Sequence, residues 1–231
     1  MKGLAFDVLG TVGHFRRPDT TATQMTYPFI TPTAAKGLVG AILGIEDFVT
    51  DDRIGIGLLR PVRTVAQQMS MLGKDSGSTF NRPTTIELLV NPGYRIYYTG
   101  EEYTEQLFEF LTRERAIYTT YLGVAYALTK PMLYRVYPEV SYMVPEGKEI
   151  EPKTVVPTAL IREIVLKADR YYCRAGGFMY KYKGRRTFEK SIDFLYEKDG
   201  KSIAFIPKKC EDDSPLDLSL AHFGEDLICL I

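Results

Sequence analysis

The stretch at residues 14–44, HFRRPDTTATQMTYPFITPTAAKGLVGAILG, constrains the fold of this chain more than any other. An apolar, strand-like run at 3–9 leads into it and stops at Gly10. Residues 11–32 then read as one long polar and aromatic loop, and loops of that length tend to carry function. The pattern predicts a helix over 33–43, with Thr31 or Thr33 as its cap and Pro32 at its start. Leu38, Val39, Ile42 and Leu43 form its apolar stripe. Gly37, Gly40 and Gly44 are spaced three and four apart and so share a face. Glycines cost a helix stability, so their spacing predicts a close neighbour, with a sheet favoured over a ligand.

Beyond the helix, 54–65 reads as a second strand carrying Arg60 and Arg63, and 67–82 as the polar tip of a protruding hairpin. Runs at 85–90 and 94–99 flank Asn91-Pro92-Gly93, a hairpin signal. A helix is expected over 101–115, its acidic start suiting the helix dipole. Short strands are expected at 125–128, 132–136 and 140–144, a strand or short helix at 163–173, and a last hairpin from 187–197 and 201–207 around Lys198-Asp199-Gly200. Strand, helix, strand, hairpin, helix, strands is the order of a ferredoxin-like β-α-β-β-α-β unit. The expected class is therefore α+β, with a β-rich extension. RNA-recognition modules share this plan and stack bases on the sheet face.

The chemistry in the opening segment suits phosphate. Guanidinium groups at Arg16 and Arg17 and hydroxyls at Thr20, Thr21, Thr23 and Thr26 precede a helix N-terminus, which adds N–H donors and a favourable dipole. No catalytic group stands out there, so a binder is favoured over an enzyme. Lys36 falls in the first helical turn, where the dipole disfavours a cation and a bound anion would resolve the conflict. The Gly-Lys order is wrong for a phosphate-binding P-loop. Basic and acidic residues balance at 29 each, but unevenly along the chain. Eight cations face only Asp169 and Glu189 in 166–190, whereas nine acids face four lysines in 191–231. Phe178, Tyr180 and Tyr182 alternate with Lys181 and Lys183, which puts aromatics on one strand face and cations on the other. Sixteen tyrosines interleaved with cations suit stacking on single-stranded bases.

Other classes find less support. Cys173, Cys210 and Cys229 are odd in number and far apart, reading as reduced thiols rather than a disulfide framework or zinc site. Asp51–Asp52 and Asp212–Asp213 read as solvated loop carboxylates, so no metal and no cofactor are expected. The longest apolar run near a helix, 37–45, is far short of a membrane span. The N-terminus lacks the features of a signal peptide, pointing to a cytoplasmic protein with no membrane partner.

The segment FRRPDTTATQMTYPFITPTAAKGLVGAILG closely resembles the N-terminal signature of the fifth CRISPR-associated (Cas) protein family, and most of all its version in type I-B Cascade complexes. The resemblance implies a repeat-associated (RAMP) fold: an RNA-recognition-like core over 1–125 with a long thumb β-hairpin at about 65–83, and a β-rich continuation over 126–231 in the same globular unit. It implies an RNA-binding subunit for antiviral defence that caps one end of the Cascade backbone and grips the 5′ handle of the crRNA. Its partners would be crRNA, the Cascade large subunit, the seventh-family backbone subunit and target DNA near the PAM. Arg16, Arg17, Thr33 and Lys36 fall within the matched motif and inherit RNA contact. His14, Thr20, Thr21, Thr23, Tyr27, Arg60, Arg63, Arg82, Arg174, Lys181 and Lys183 complete the candidate RNA-binding set. Some type I-C relatives cut pre-crRNA with a Tyr and an adjacent Lys-His pair. This chain has only His14 and His222, and neither follows a lysine. A subunit without catalysis is therefore expected. The alternative is a metal-independent endoribonuclease using His14, Tyr27 and Lys36 as its acid–base set.

Overall fold

In the computed structural model, residues 2–75, 77–208 and 217–231 are described. Strand β1 (Gly3–Leu9) buries Leu4, Phe6 and Val8 on one face and turns Ala5 and Asp7 to the other. Two short strands, β2 (Val12–Gly13) and β3 (Thr23–Gln24), interrupt the loop that follows. Helix α1 (Pro32–Leu43) begins as the sequence suggests, with the Ala34 amide donating to Thr31 Oγ1 at 3.1 Å and Pro32 in the first turn. Gly44 ends it in the left-handed region at φ 80°, its amide bonded to the Gly40 carbonyl. Then come β4 (Arg53–Leu58), the long strands β5 (Thr64–Asp75) and β6 (Ser78–Val90), β7 (Gly93–Thr99), α2 (Thr104–Thr112) and β8 (Met132–Tyr137).

Four of these strands form an antiparallel sheet in the order β4-β7-β1-β8. Counted among themselves, the order is second-third-first-fourth, with α1 and α2 in the two crossovers, so the ferredoxin-like plan is present. Both helices press on one sheet face, where Leu38, Val39, Ile42 and Leu107 meet Phe6, Ile54, Ile56 and Tyr98. The fourth core strand lies at 132–137, past residue 125, so the continuation completes the sheet.

The rest of the chain is β9 (Val140–Met143), β10 (Val156–Pro157), a 3-10 turn at Thr158–Leu160, β11 (Ile161–Ile164), β12 (Tyr172–Tyr182), β13 (Phe188–Glu197), β14 (Phe205–Pro207), β15 (Ser219–Phe223) and β16 (Asp226–Leu230). It makes three small sheets, β10-β13-β12, β11-β14 and β16-β15-β9. The first extends the main core. Phe178 is fully buried, with Tyr27 stacked on one ring face at 4.2 Å, Phe29 at 5.0 Å and Phe194 edge-on at 5.1 Å. Burying such a ring stabilises the fold by about 2–3 kcal/mol. The last sheet packs on the other face of the core sheet, where Ala221, Phe223, Ile228 and Leu230 meet Ala5, Tyr97 and Tyr137. A Cβ on Gly55 would sit 2.3 Å from Ile228, so this glycine lets the two sheets close. The face on which RNA-recognition modules stack bases is thus largely covered by the protein's own C-terminal sheet.

Several sequence expectations need correction. The second strand stops at Leu58 rather than 65, because Pro61 cannot donate to a ladder. The runs flanking Asn91-Pro92-Gly93 do not pair. Residues 78–90 pair with β5, whereas β7 enters the core sheet, and Asn91 turns the chain at φ 47°. Residues 125–128 are a turn closed by one bridge, Tyr121 to Leu128. The second helix is shorter than expected, nine residues within 101–115. The final hairpin is absent: β14 pairs with β11, not with β13. The glycine face of α1 also has a different cause. Gly40 admits Phe48, Gly44 is the cap, and a Cβ on Gly37 would meet nothing within 4 Å.

Candidate nucleic-acid interface

The thumb is the β5–β6 hairpin, in register from Thr64 opposite Leu89 to Asp75 opposite Ser78. It is longer than the expected 65–83. Its base is anchored by Ile86, Leu88 and Leu89, all buried, while Met71, Leu72 and Phe80 stand exposed further out. The loop 11–31 is zipped along the free side of β6. Strand β2 pairs antiparallel with it at Val90 and Leu89, and β3 pairs parallel at Thr85 and Ile86. Side chains reinforce the seam: the Thr26 amide donates to Glu87 Oε2 at 3.1 Å, and His14 Nδ1 lies 2.7 Å from the Glu87 carbonyl.

The seam sorts the predicted loop residues into two groups. Arg16 pairs with Thr26 through a backbone bridge and points its exposed side chain outward. Arg17 is held in a fork by Asp19, at 3.1 and 2.6 Å, and that partner, opposed by partial burial, keeps its guanidinium above the ordinary value. Thr20 closes the turn by donating to the Arg17 carbonyl, and Thr21 and Thr23 are exposed. His14 and Tyr27 are buried instead. His14 is 3% exposed, its Nε2 without a partner among the described residues. Tyr27 donates to the Gly177 carbonyl at 2.5 Å, and burial pushes its hydroxyl pKa up.

Lys36 faces a different place. It lines a cavity of about 400 Å³ at the N-terminal end of α1, walled by Thr33, Gly37, Phe48, Arg53, Tyr180, Lys181, Tyr182 and Phe188. Burial pushes the Lys36 ammonium down to about 8, against the pull of Asp52 and Asp51. The helix starts at Pro32, so Lys36 lies just past the first turn, and burial rather than the helix dipole is what disfavours its charge. Thr33 shares its hydroxyl with Thr31 at 3.2 Å. The sequence reading missed Asp47, which reaches across to the β12–β13 turn by accepting from the Tyr182 hydroxyl and, at 3.2 Å, from the Arg185 amide. It also missed Arg53 and Asp217, paired at 2.8 Å on the cavity wall. No local signal marks them, because their partners lie more than a hundred residues away in sequence.

The remaining cations scatter. Arg60 and Arg63 are exposed where the chain enters the thumb, and Arg82 is exposed on β6 opposite Met71. Arg174 bonds Asp193 at 2.7 Å, and Lys183 bonds Glu189 at 3.2 Å. The alternation on β12 holds only as far as Tyr180: Phe178 and Tyr180 are buried and Met179 exposed, but Lys181, at φ 55°, and Tyr182 are both half-buried and line the same cavity. Asp52 overturns its reading as a solvated carboxylate. It is 2% exposed and accepts from the Tyr98 hydroxyl at 2.7 Å and the Glu102 and Tyr103 amides at 3.1 and 2.9 Å. Cys173 is half-buried and Cys229 buried, both free, and burial pushes the Cys229 thiol up to about 12. Cys210, Asp212 and Asp213 lie outside the described residues. Among the described residues no group of three His, Cys, Asp or Glu side chains gathers as metal ligands, and no helix is long and apolar enough to cross a membrane.

Comparison with known proteins adds to this geometry. Residues 3–71 match the family model described as CRISPR-associated protein (Cas_Cas5). No curated protein sequence matches the chain. Among solved structures, a CRISPR protein from Archaeoglobus fulgidus shares the fold at TM-score 0.57 and 11% identity, over 99% of this chain and 98% of that one. A chain of a CRISPR RNA-guided surveillance complex shares it at TM-score 0.54 and 13% identity, over 89% of this chain and 91% of the other. The family match spans β1, the loop, α1 and most of the first thumb strand, so the likeness in sequence lies in the N-terminal third of the chain and the likeness in fold extends over nearly all of it.

Proposed function

We propose that the protein is a non-catalytic, crRNA-binding subunit of a type I CRISPR surveillance complex, gripping the 5′ handle of the crRNA in the cytoplasm. One observation carries this reading: a long solvent-exposed hairpin has an Arg-Thr loop zipped to its base, with Arg16, Thr21 and Thr23 left facing solvent. An exposed hairpin beside a cationic loop provides a groove for a nucleic-acid backbone, and exposed Phe80 and Tyr126 offer faces for stacking. The fold shared with a chain of an RNA-guided surveillance complex is consistent with it. The absence of catalysis in this reading is supported by the state of two of the three acid–base candidates. The Tyr27 hydroxyl is spent on the Gly177 carbonyl, and His14 is buried against Glu87. The large subunit, the seventh-family backbone subunit and target DNA near the PAM are the partners this role requires.

Binding should be mainly electrostatic. Fluorescence anisotropy with a labelled repeat-derived RNA tests it, comparing wild type with Arg16→Glu/Arg17→Glu. The double variant is expected to bind weakly, with the slope of log affinity against log salt reduced by about 1.4 if two single-strand phosphate contacts are lost. Equal affinity and equal slope would show that the loop does not touch RNA.

A further inference from the structure

A second cavity lies on the face of the core sheet opposite the helices, beside the C-terminal sheet. It holds about 470 Å³ and shares no residue with the thumb or its loop. Its walls carry four cations, Arg95, Lys153, Arg170 and Lys201, against one carboxylate, Asp226. Arg95 is already neutralised, forked onto Asp7 at 2.8 and 2.9 Å with its guanidinium over the Tyr134 ring. Asp226 is engaged too, accepting from the Tyr97 hydroxyl at 3.1 Å. Lys153, Arg170 and Lys201 remain, and none of them is in an ion pair among the described residues. Lys201 donates only to the Asp169 carbonyl at 2.9 Å. Arg170 Nε is buried with no hydrogen-bond partner. Glu151, whose charge acts on Arg170, is taken by Lys167 and Ser202, and the buried Glu197 carboxylate near Lys201 is spent on backbone amides.

The backbone is shaped to leave this space. A Cβ on Gly57 would meet the Lys153 carbonyl at 3.1 Å, and Gly200 turns at φ 83° against the Leu58 carbonyl. The Lys198-Asp199-Gly200 turn is pinned by Glu197, which is 1% exposed and accepts from the Tyr171, Asp199 and Lys201 amides at 2.8 to 2.9 Å. Lys201 is therefore presented from a fixed base. Three cations outside any ion pair among the described residues line this polar hollow, one of them with an orphaned buried N–H, and such a lining suits an oxyanion.

We propose that this hollow is a phosphate-binding site, which takes either a backbone phosphate of single-stranded RNA or the phosphate of a free mononucleotide. Half-exposed Tyr134 stands at its wall, where a base attached to that phosphate can stack. The proposal does not depend on the thumb's role.

Isothermal titration of the full chain with inorganic phosphate, adenosine 5′-monophosphate and a single-stranded octaribonucleotide tests it. Wild type is expected to bind phosphate and the mononucleotide saturably, and Lys153→Gln/Arg170→Gln to bind both about tenfold more weakly, equivalent to about 1.4 kcal/mol. Lys148→Gln, an exposed lysine outside the hollow, should match wild type. Weaker octaribonucleotide binding in the double variant, with displacement by phosphate, identifies RNA as the source. Unchanged octaribonucleotide binding identifies the free nucleotide. If wild type binds no phosphate, or binds it no better than the double variant, the site does not exist. Should the double variant fold poorly, protection of Lys153 and Lys201 from acetylation by phosphate, read by mass spectrometry on wild type, decides instead. Equal acetylation with and without phosphate would overturn the proposal.

Discussion

Lys36 shows how a single residue couples fold and function. Lys36 sits just past the first turn of α1, and burial raises the cost of its charge, so its folded-state pKa drops from 10.5 to about 8. Between pH 8 and 10.5 the folded chain therefore holds fewer protons than the unfolded one. The cost of burying the charge is present in full below pH 8 and is relieved as pH rises through that window. Asp51, Asp52 and Asp217 pull the pKa up and Arg53 pushes it down, but none neutralises the ammonium at ion-pair distance. A phosphate oxygen would. If RNA reaches this cavity, affinity is expected to fall by about tenfold as pH rises from 7 to 9, and Lys36→Arg should abolish the fall. Anisotropy across that range checks it, and a flat wild-type profile would remove Lys36 from the interface. Much at this scale was legible: the Thr31 cap and the Pro32 start follow from local chemistry. Burial was not. His14 and Tyr27 look like surface chemistry in sequence, but their partners, Glu87 and Gly177, are 73 and 150 residues away. Asp52 looks solvated for the same reason. The residues that use it, Tyr98, Glu102 and Tyr103, come together only once the sheet forms.

Among the elements, β1 and α1 were foreseen to within a residue, the thumb in kind though not in length, and the C-terminal strands least. A polar Gly/Ser stretch between two β-prone runs signals a hairpin in its own sequence, because both partners are close neighbours. What misled was the Asn91-Pro92-Gly93 turn, a genuine turn joining strands of two different sheets. Pairings such as β11 with β14, and β9 with β15, close long loops and leave no local trace. The thumb also separates stability from function. Beyond Thr84 towards the tip its side chains are mostly exposed, and Leu72 is 80% exposed. Replacing residues 71–82 with Asn-Gly keeps the buried base and suits a two-residue hairpin. Thermal unfolding is expected to change by no more than about 1 kcal/mol, as for surface changes generally. Affinity for repeat-derived RNA should drop. A large loss of stability would mean the thumb is part of the core, and unchanged affinity would mean RNA lies elsewhere.

For the molecule as a whole, the order of elements revealed the ferredoxin-like core, because helix and strand periodicities alternate in a pattern few folds share. It could not reveal that the chain covers the sheet face on which RNA-recognition modules stack bases. Ala5, Tyr97 and Tyr137 read as ordinary strand residues until β15 and β16 pack on them. That closure moves the expected RNA path off the sheet and onto the thumb, its loop and the Lys36 cavity. The most direct measurement is ultraviolet crosslinking of the wild-type chain to repeat RNA carrying 4-thiouridine, with the crosslinked residues identified by mass spectrometry. The account expects crosslinks at 16–27 and along 64–90, and none on β15. Crosslinks concentrated on the C-terminal sheet, or a chain that captures no RNA, would contradict it.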